Sequence, residues 1–147
     1  MKTSMVLLVV LVLACASCER VDTAYPSTRD AQADGAIDRG WVPSQLPPSA
    51  RDIREWHDLD TNRGFGRVTI DAADGAWVRQ HYRPIPPETQ LVVRERSGDP
   101  DWWPRPLYGT LDRTMLQARG ISLFQAQGFS FAMDPSIQTL FFWHDGS

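Results

Sequence analysis

Asp58, Asp60 and Asn62 stand at alternate positions of the run Asp58-Leu59-Asp60-Thr61-Asn62. The first oxygen donors of a calcium-binding loop follow one another at this spacing. The pattern then departs from such a loop. Arg63 occupies the sixth position, where glycine is needed, and Thr69 stands where the bidentate Glu belongs. A hairpin turn, in which Asp and Asn side chains accept from nearby amides, accounts for the same residues. The turn is the expectation, and no metal site is assigned. His57, His81 and His144 have no companion at a metal-ligand spacing such as i, i+4. The chain has no Gly-x-Ser-x-Gly elbow, phosphate-cradling glycine loop or dinucleotide fingerprint. Its carboxylates are scattered without a candidate acid/base pair. Neither a catalytic residue nor a cofactor is expected. The alternative is a small envelope hydrolase or modifying enzyme whose site is assembled only in the fold. Its mark would be a cleft holding His57 or His144 beside Asp58 or Asp145.

Recognition is the chemistry these residue types suit better. Trp102-Trp103-Pro104-Arg105-Pro106 sets paired indoles on a loop, where they can stack on sugar rings or anchor a protein, with Arg105 at the rim. The same pair can fold back as a lid over one end of a sheet, the expectation for at least one of them. Trp41, in Trp41-Val42-Pro43, is a further contact anchor if exposed. The other reading of that segment is a rigid crossing with Trp41, Val42 and Leu46 plugged into the core.

The chain has 147 residues, 42% of them apolar and 22% charged, which suits one globular domain behind a leader. Its formal net charge is −3. Of its fifteen basic residues the only lysine, Lys2, lies in the leader, so the remainder is one charge more negative. That balance excludes the basic face a nucleic-acid binder needs.

Residues 1–18 read as a leader. Lys2 is followed by the apolar run Met5–Ala14, too short to span a bilayer, and small residues precede each cysteine. Val12-Leu13-Ala14-Cys15 resembles the lipobox of bacterial lipoproteins, with Cys15 as the lipidated residue; Cys15-Ala16-Ser17-Cys18 offers Cys18 as the alternative. The resemblance implies a lipid anchor in the cell envelope. Ala16, in place of an acidic residue after Cys15, implies sorting to the outer membrane, facing the periplasm. Both cysteines lie in this segment, so the folded part has no disulfide or cysteine nucleophile.

The elements follow in order. Residues 19–25 read as a polar tether. Ser27 or Thr28 caps an Ala-rich helix that runs to Arg39 and stops at Gly40. The prolines of 41–48 enforce an extended crossing. Residues 53–58 and 65–70 are predicted strands around the Asp-rich turn, and Asp71 caps a second helix over 72–82. Residues 91–95 form a further strand, 97–106 a loop, and 107–119 an irregular segment with one helical turn. Residues 121–126, 129–133 and 139–143 form an antiparallel meander. Leu140-Phe141-Phe142-Trp143 is apolar on both faces and so belongs at the centre. The expectation is a single α+β domain over 26–147, a mostly antiparallel sheet of five to six strands with two helices packed on it.

Tyr25-Pro26, Arg39-Gly40-Trp41-Val42-Pro43, Leu46-Pro47-Pro48-Ser49-Ala50, Asp52-Ile53, Asp58–Asn62 and Trp102-Trp103-Pro104 together resemble a family of bacterial lipoproteins close to the YbbD head domain. The resemblance runs over most of Tyr25 to His144. It implies an envelope location and one domain, and it brings no catalytic residue or cofactor. The function expected is a non-enzymatic binding or structural module, tied to the membrane through its N-terminal cysteine, with an envelope protein or glycan as partner.

Overall fold

The computed structural model describes residues 19–146; the leader, with Cys15 and Cys18, lies outside them. The chain enters as β1 (Arg20–Ser27), where a tether was expected. Only Tyr25 of this strand is buried, so its sequence lacks the alternation that marks a half-buried strand. Ser27 then caps α1 (Thr28–Ala33), its hydroxyl accepting from the amide of Asp30 at 3.2 Å. The helix ends well before Arg39. Turns carry the chain to Gly40, whose φ of +74° and amide bond to the carbonyl of Ile37 close them. The crossing that follows is the predicted plug: Val42 is buried, and Trp41 and Leu46 pack against the core.

β2 (Arg51–Asp58) and β3 (Arg63–Thr69) form the first hairpin, and α2 (Asp74–His81) follows. Asp71 does not cap α2; its carboxylate pairs with Arg51 at 2.8 Å. Short pieces come next: β4 (Arg83–Pro84), β5 (Val92–Val93), β6 (Gly109–Thr110) and α3 (Arg113–Ala118), the last capped by Asp112. The meander closes the chain as β7 (Ser122–Ala126), β8 (Phe129–Asp134) and β9 (Thr139–His144). Seven strands in the order β1-β2-β3-β9-β8-β7-β4 make one antiparallel sheet, and β5-β6 a small second one. Among the described residues the count is therefore seven strands and three helices in the main body, against five or six and two expected. None of the described helices is long and apolar enough to cross a membrane.

β9 is the middle strand, and each face of it is covered. Leu140 and Phe142 join Phe131, Val68, Ile53 and Val78 beneath the α1 and α2 side. Phe141 and Trp143 join Trp56, Phe65, Trp103 and Leu116 beneath the segment 85–121. Burying Arg63, only 2% exposed, is tolerated because its guanidinium donates to Asp99 at 2.7 Å and to the carbonyl of Arg94 at 2.7 Å.

Two glycines of β3 shape the first face. A Cβ on Gly66 would stand 1.9 Å from Cζ of Phe142, and one on Gly64 would stand 2.4 Å from Nε2 of His144. Neighbouring rings from β9 lie across the bare backbone of β3. Gly66→Ala is expected to lower the unfolding free energy by about 3 kcal/mol or more, because the ring of Phe142 is locked in the core. Gly75→Ala, inside α2, is expected to raise it by about 0.5–1 kcal/mol. Urea titration of both variants checks the pair, and equal effects would contradict the ring-over-glycine packing.

Candidate functional site

β2 alternates, so Glu55 and His57 point to the same face of the sheet as Ile53. Both are buried, at 1% and 2% exposure. Oε2 of Glu55 lies 2.9 Å from Nδ1 of His57. Burial pushes the Glu55 carboxyl up to about 8, with Asp22 adding to the effect and Arg39 opposing it. The same burial pushes His57 below its ordinary value, helped by the positive charges of Arg39 and His144. Both shifts favour the uncharged forms, a protonated carboxyl beside a neutral imidazole, over an ion pair. Oε1 of Glu55 and Nε2 of both His57 and His144 have no hydrogen-bond partner among the described residues.

Trp41 roofs this pair. Its ring stacks on His57 with centroids 3.7 Å apart and planes 17° from parallel, and the Arg39 guanidinium lies 4.0 Å from the Trp41 ring centre. Two groups this close to one ring must occupy opposite faces. Arg39 is held in turn by the carbonyl and carboxylate of Asp34, whose carboxylate also accepts from the Tyr25 hydroxyl at 2.8 Å. His144 reaches the same neighbourhood from β9, since His57 and His144 are both register partners of Gly64. It lines a groove of about 390 Å³ with Arg39, Asn62 and Asp145. His57 therefore meets Glu55, not Asp58. His81 lies apart on α2, stacked on Trp77. Among the described residues no group of three His, Cys, Asp or Glu is placed to hold a metal ion.

The Asp-rich run is the expected turn. Oδ1 of Asp58 accepts from the amides of Asp60 and Thr61 at 3.0 and 3.2 Å, and Oδ2 from Arg20 at 3.3 Å. These bonds hold Asp58 below the usual carboxylate range despite burial, which acts to raise it. Asn62 takes the left-handed conformation at φ +52°.

The opposite sheet face carries the other candidate. Trp103 is 3% exposed and packs edge-on against Phe141 and Trp143. It is a core residue, which removes it from the surface anchors expected. Trp102 stays half-exposed as the lid. Its Nε1 donates to Asp22 at 2.9 Å, and the guanidiniums of Arg54 and Arg67 lie 5.3 and 5.7 Å from its ring. Arg54 is bidentate to Asp22. Arg67 makes no ion pair among the described residues. Arg105 is exposed and tied to Glu95. Beside Trp102 an open groove of about 720 Å³ runs over Asp22, Ala24, Pro26, Asp52, Arg54 and Arg67. At its floor β2 bulges between Arg51 and Arg54, with Asp52 at φ +49°. Bulges of this kind re-aim side chains, and backbone strain at a non-glycine residue concentrates at working sites.

Residues 19–69 match the YbbD head domain. The match suggests an envelope-associated protein. It holds the Trp41-Val42-Pro43, Leu46–Ala50, Asp52-Ile53 and Asp58–Asn62 motifs and leaves Trp102-Trp103-Pro104 outside. No curated protein and no solved structure matches the chain. In this structure the matched segment is β1, α1, the crossing and the β2–β3 hairpin. Glu55, His57, Arg39, Trp41 and every residue named for the 720 Å³ groove lie within it. His144 and Trp102 are supplied by the rest of the chain.

The sequence reading missed Glu55, Arg39, Arg54 and Arg67. The spacing Glu55-x-His57 on a strand was a signal for two titratable groups on one face, and Gly64-x-Gly66 for rings crossing the next strand. Stability should record the buried pair. Glu55 has its carboxyl raised in the fold, so its contribution is greatest at low pH and is lost as pH rises from the ordinary carboxylate range to about 8. His57 and His144 are depressed, so theirs is lost as pH falls through the ordinary histidine range. Glu55→Gln should abolish the decline in melting temperature expected of wild type between pH 7 and pH 8, above the histidine range, while leaving the acid-side loss in place. A decline of equal size in both proteins, followed by circular dichroism, would contradict the raised carboxyl.

Proposed function

We propose that this protein is a lipid-anchored, non-enzymatic module of the bacterial cell envelope, held at the outer membrane facing the periplasm. Cys15, or Cys18 in its place, carries the anchor, and the domain binds an envelope protein or glycan that presents an acidic group. Supporting the binding reading above all is Arg67, a guanidinium with no carboxylate partner among the described residues, on an open groove beside a half-exposed tryptophan. An Arg fork recognises carboxylate and phosphate oxygens, and an indole edge supplies apolar area next to it. Trp41 is covered by His57 on one face and Arg39 on the other, so it offers no free stacking face to a sugar, and guanidiniums at 5.3 and 5.7 Å crowd the Trp102 ring. Recognition through charge and edge contacts at the groove fits the arrangement better.

A second reading, an enzyme, draws on the Glu55–His57 pair, whose carboxyl is raised across neutrality in the way proton-transfer groups are. Trp41 stands between that pair and solvent, and chemistry there requires the indole to leave. Diethylpyrocarbonate treatment of the native protein, read by mass spectrometry, should modify His81 and spare His57; rapid modification of His57 would favour the enzyme.

In-cell crosslinking of the tagged, lipidated protein, with co-purified species identified by mass spectrometry, tests the binding reading. One stoichiometric partner is expected, and Arg67→Ala and Trp102→Ala, both folded by circular dichroism, should each reduce its recovery about tenfold, the effect of losing a contact of ~1.4 kcal/mol. A partner recovered equally with both variants would move the face elsewhere, and no partner with any version would overturn the module.

A further inference from the structure

The sheet's hydrogen bonding runs to the first described residue. Glu19 accepts through its carbonyl from the amide of Leu59 at 3.1 Å, and Arg20 is in register with Asp58. Cys18 is the covalent neighbour of Glu19, about 3.8 Å away between Cα atoms, and Cys15 is four residues off, at most ~14 Å if fully extended. An anchor on either cysteine therefore fixes one particular end of the domain against the bilayer.

That end is the β2–β3 turn. Leu59, at its tip, is 47% exposed although the turn around it is polar and tightly bonded. Val21, two residues into β1, is also exposed. Ile137, another large apolar side chain in the open, lies at the far end of the sheet, because β9 begins at Thr139 opposite Thr69. The ionic bond of Asp58 with Arg20 and its bonds to the turn amides hold Leu59 on a rigid support beside the attachment point.

We propose that the domain stands directly on the lipid surface, with the β2–β3 turn down and Leu59 inserted at the headgroup–acyl boundary. The proposal rests on the lipid-anchor reading above and adds the orientation. Tether length and apolar insertion drive the contact. Glu19, Asp60 and Asp145 surround the turn, so attraction to acidic lipid contributes nothing. The orientation places the 390 Å³ groove of His144 and Asn62 toward the membrane, and it points the Pro26 and Asp52 end of the larger groove away from it, toward a partner.

The test uses the full-length acylated protein, confirmed by intact mass, in phosphatidylethanolamine–phosphatidylglycerol vesicles. Nitroxide labels are placed at Leu59→Cys and, separately, at Ile137→Cys, with any cysteine not carrying the anchor replaced by Ser. Power-saturation spectroscopy then reads collisions with oxygen, which partitions into lipid, and with a water-soluble nickel complex. The label at position 59 is expected to show an oxygen-to-nickel ratio several-fold above that at 137. Equal ratios in the acylated protein would overturn the orientation while leaving the anchor intact. A mass without acyl chains would overturn the anchor reading and the proposal with it.

Discussion

β9 has water on neither side, and that constraint organises the molecule. Four successive apolar residues on the middle strand demand a covering layer for each face. The first layer, from α1, the crossing and α2, is light, because its helices have six and eight residues. The second, residues 85–121, contains little regular structure. It covers its face with inserted side chains such as Trp103, Leu107 and Leu116 instead. Irregular backbone can do this because it lies at the surface, while its side chains reach inward to share one aromatic cluster with β3 and β9.

The two glycines of β3 follow from the same demand. The first face has to be filled by rings, and Gly64 and Gly66 give the rings of His144 and Phe142 room to lie across the strand. A consequence is that His144 is carried toward His57 on β2. The neutral Glu55–His57 pair thus sits between a helix-side roof, Trp41 and Arg39, and a ring from the sheet centre. Its cost is the desolvation of two groups that satisfy only part of their hydrogen-bonding capacity. Holding both neutral keeps that cost well below that of an unpaired buried charge.

How legible this was differs by element. β9 announced its position because burial on both faces writes a continuous apolar run. Ser27, as a helix cap, and the meander turns were readable because local chemistry alone sets them. β1 was not: an edge strand with one buried residue owes its existence to pairing with β2, which its own sequence does not encode. The segment 85–121 was legible only in outline, a strand near 91–95 and a helical turn within 107–119, since the two-residue ladders β5 and β6 exist only where the core brings them together. In the candidate sites, the turn at Asp58 was legible and the arginines were not. Arg67 and Arg63 look alike as letters, yet one is left open on a groove and the other is buried against Asp99.

The division between the matched segment and the remainder gives these sites their logic. Residues 19–69 supply the strands, the bulge at Asp52 and the arginines of the larger groove, but Trp102, which fixes Asp22 and flanks both guanidiniums, comes from the second covering layer. The buried pair likewise belongs to the segment, while His144 comes from β9. Each candidate site is thus completed only when the second half of the chain has docked. The matched segment excised from this protein would expose the apolar faces of β3, since it would lack β9 and the second covering layer. The groove is therefore a property of the assembled domain, shaped by Trp102 as much as by the arginines it sits against.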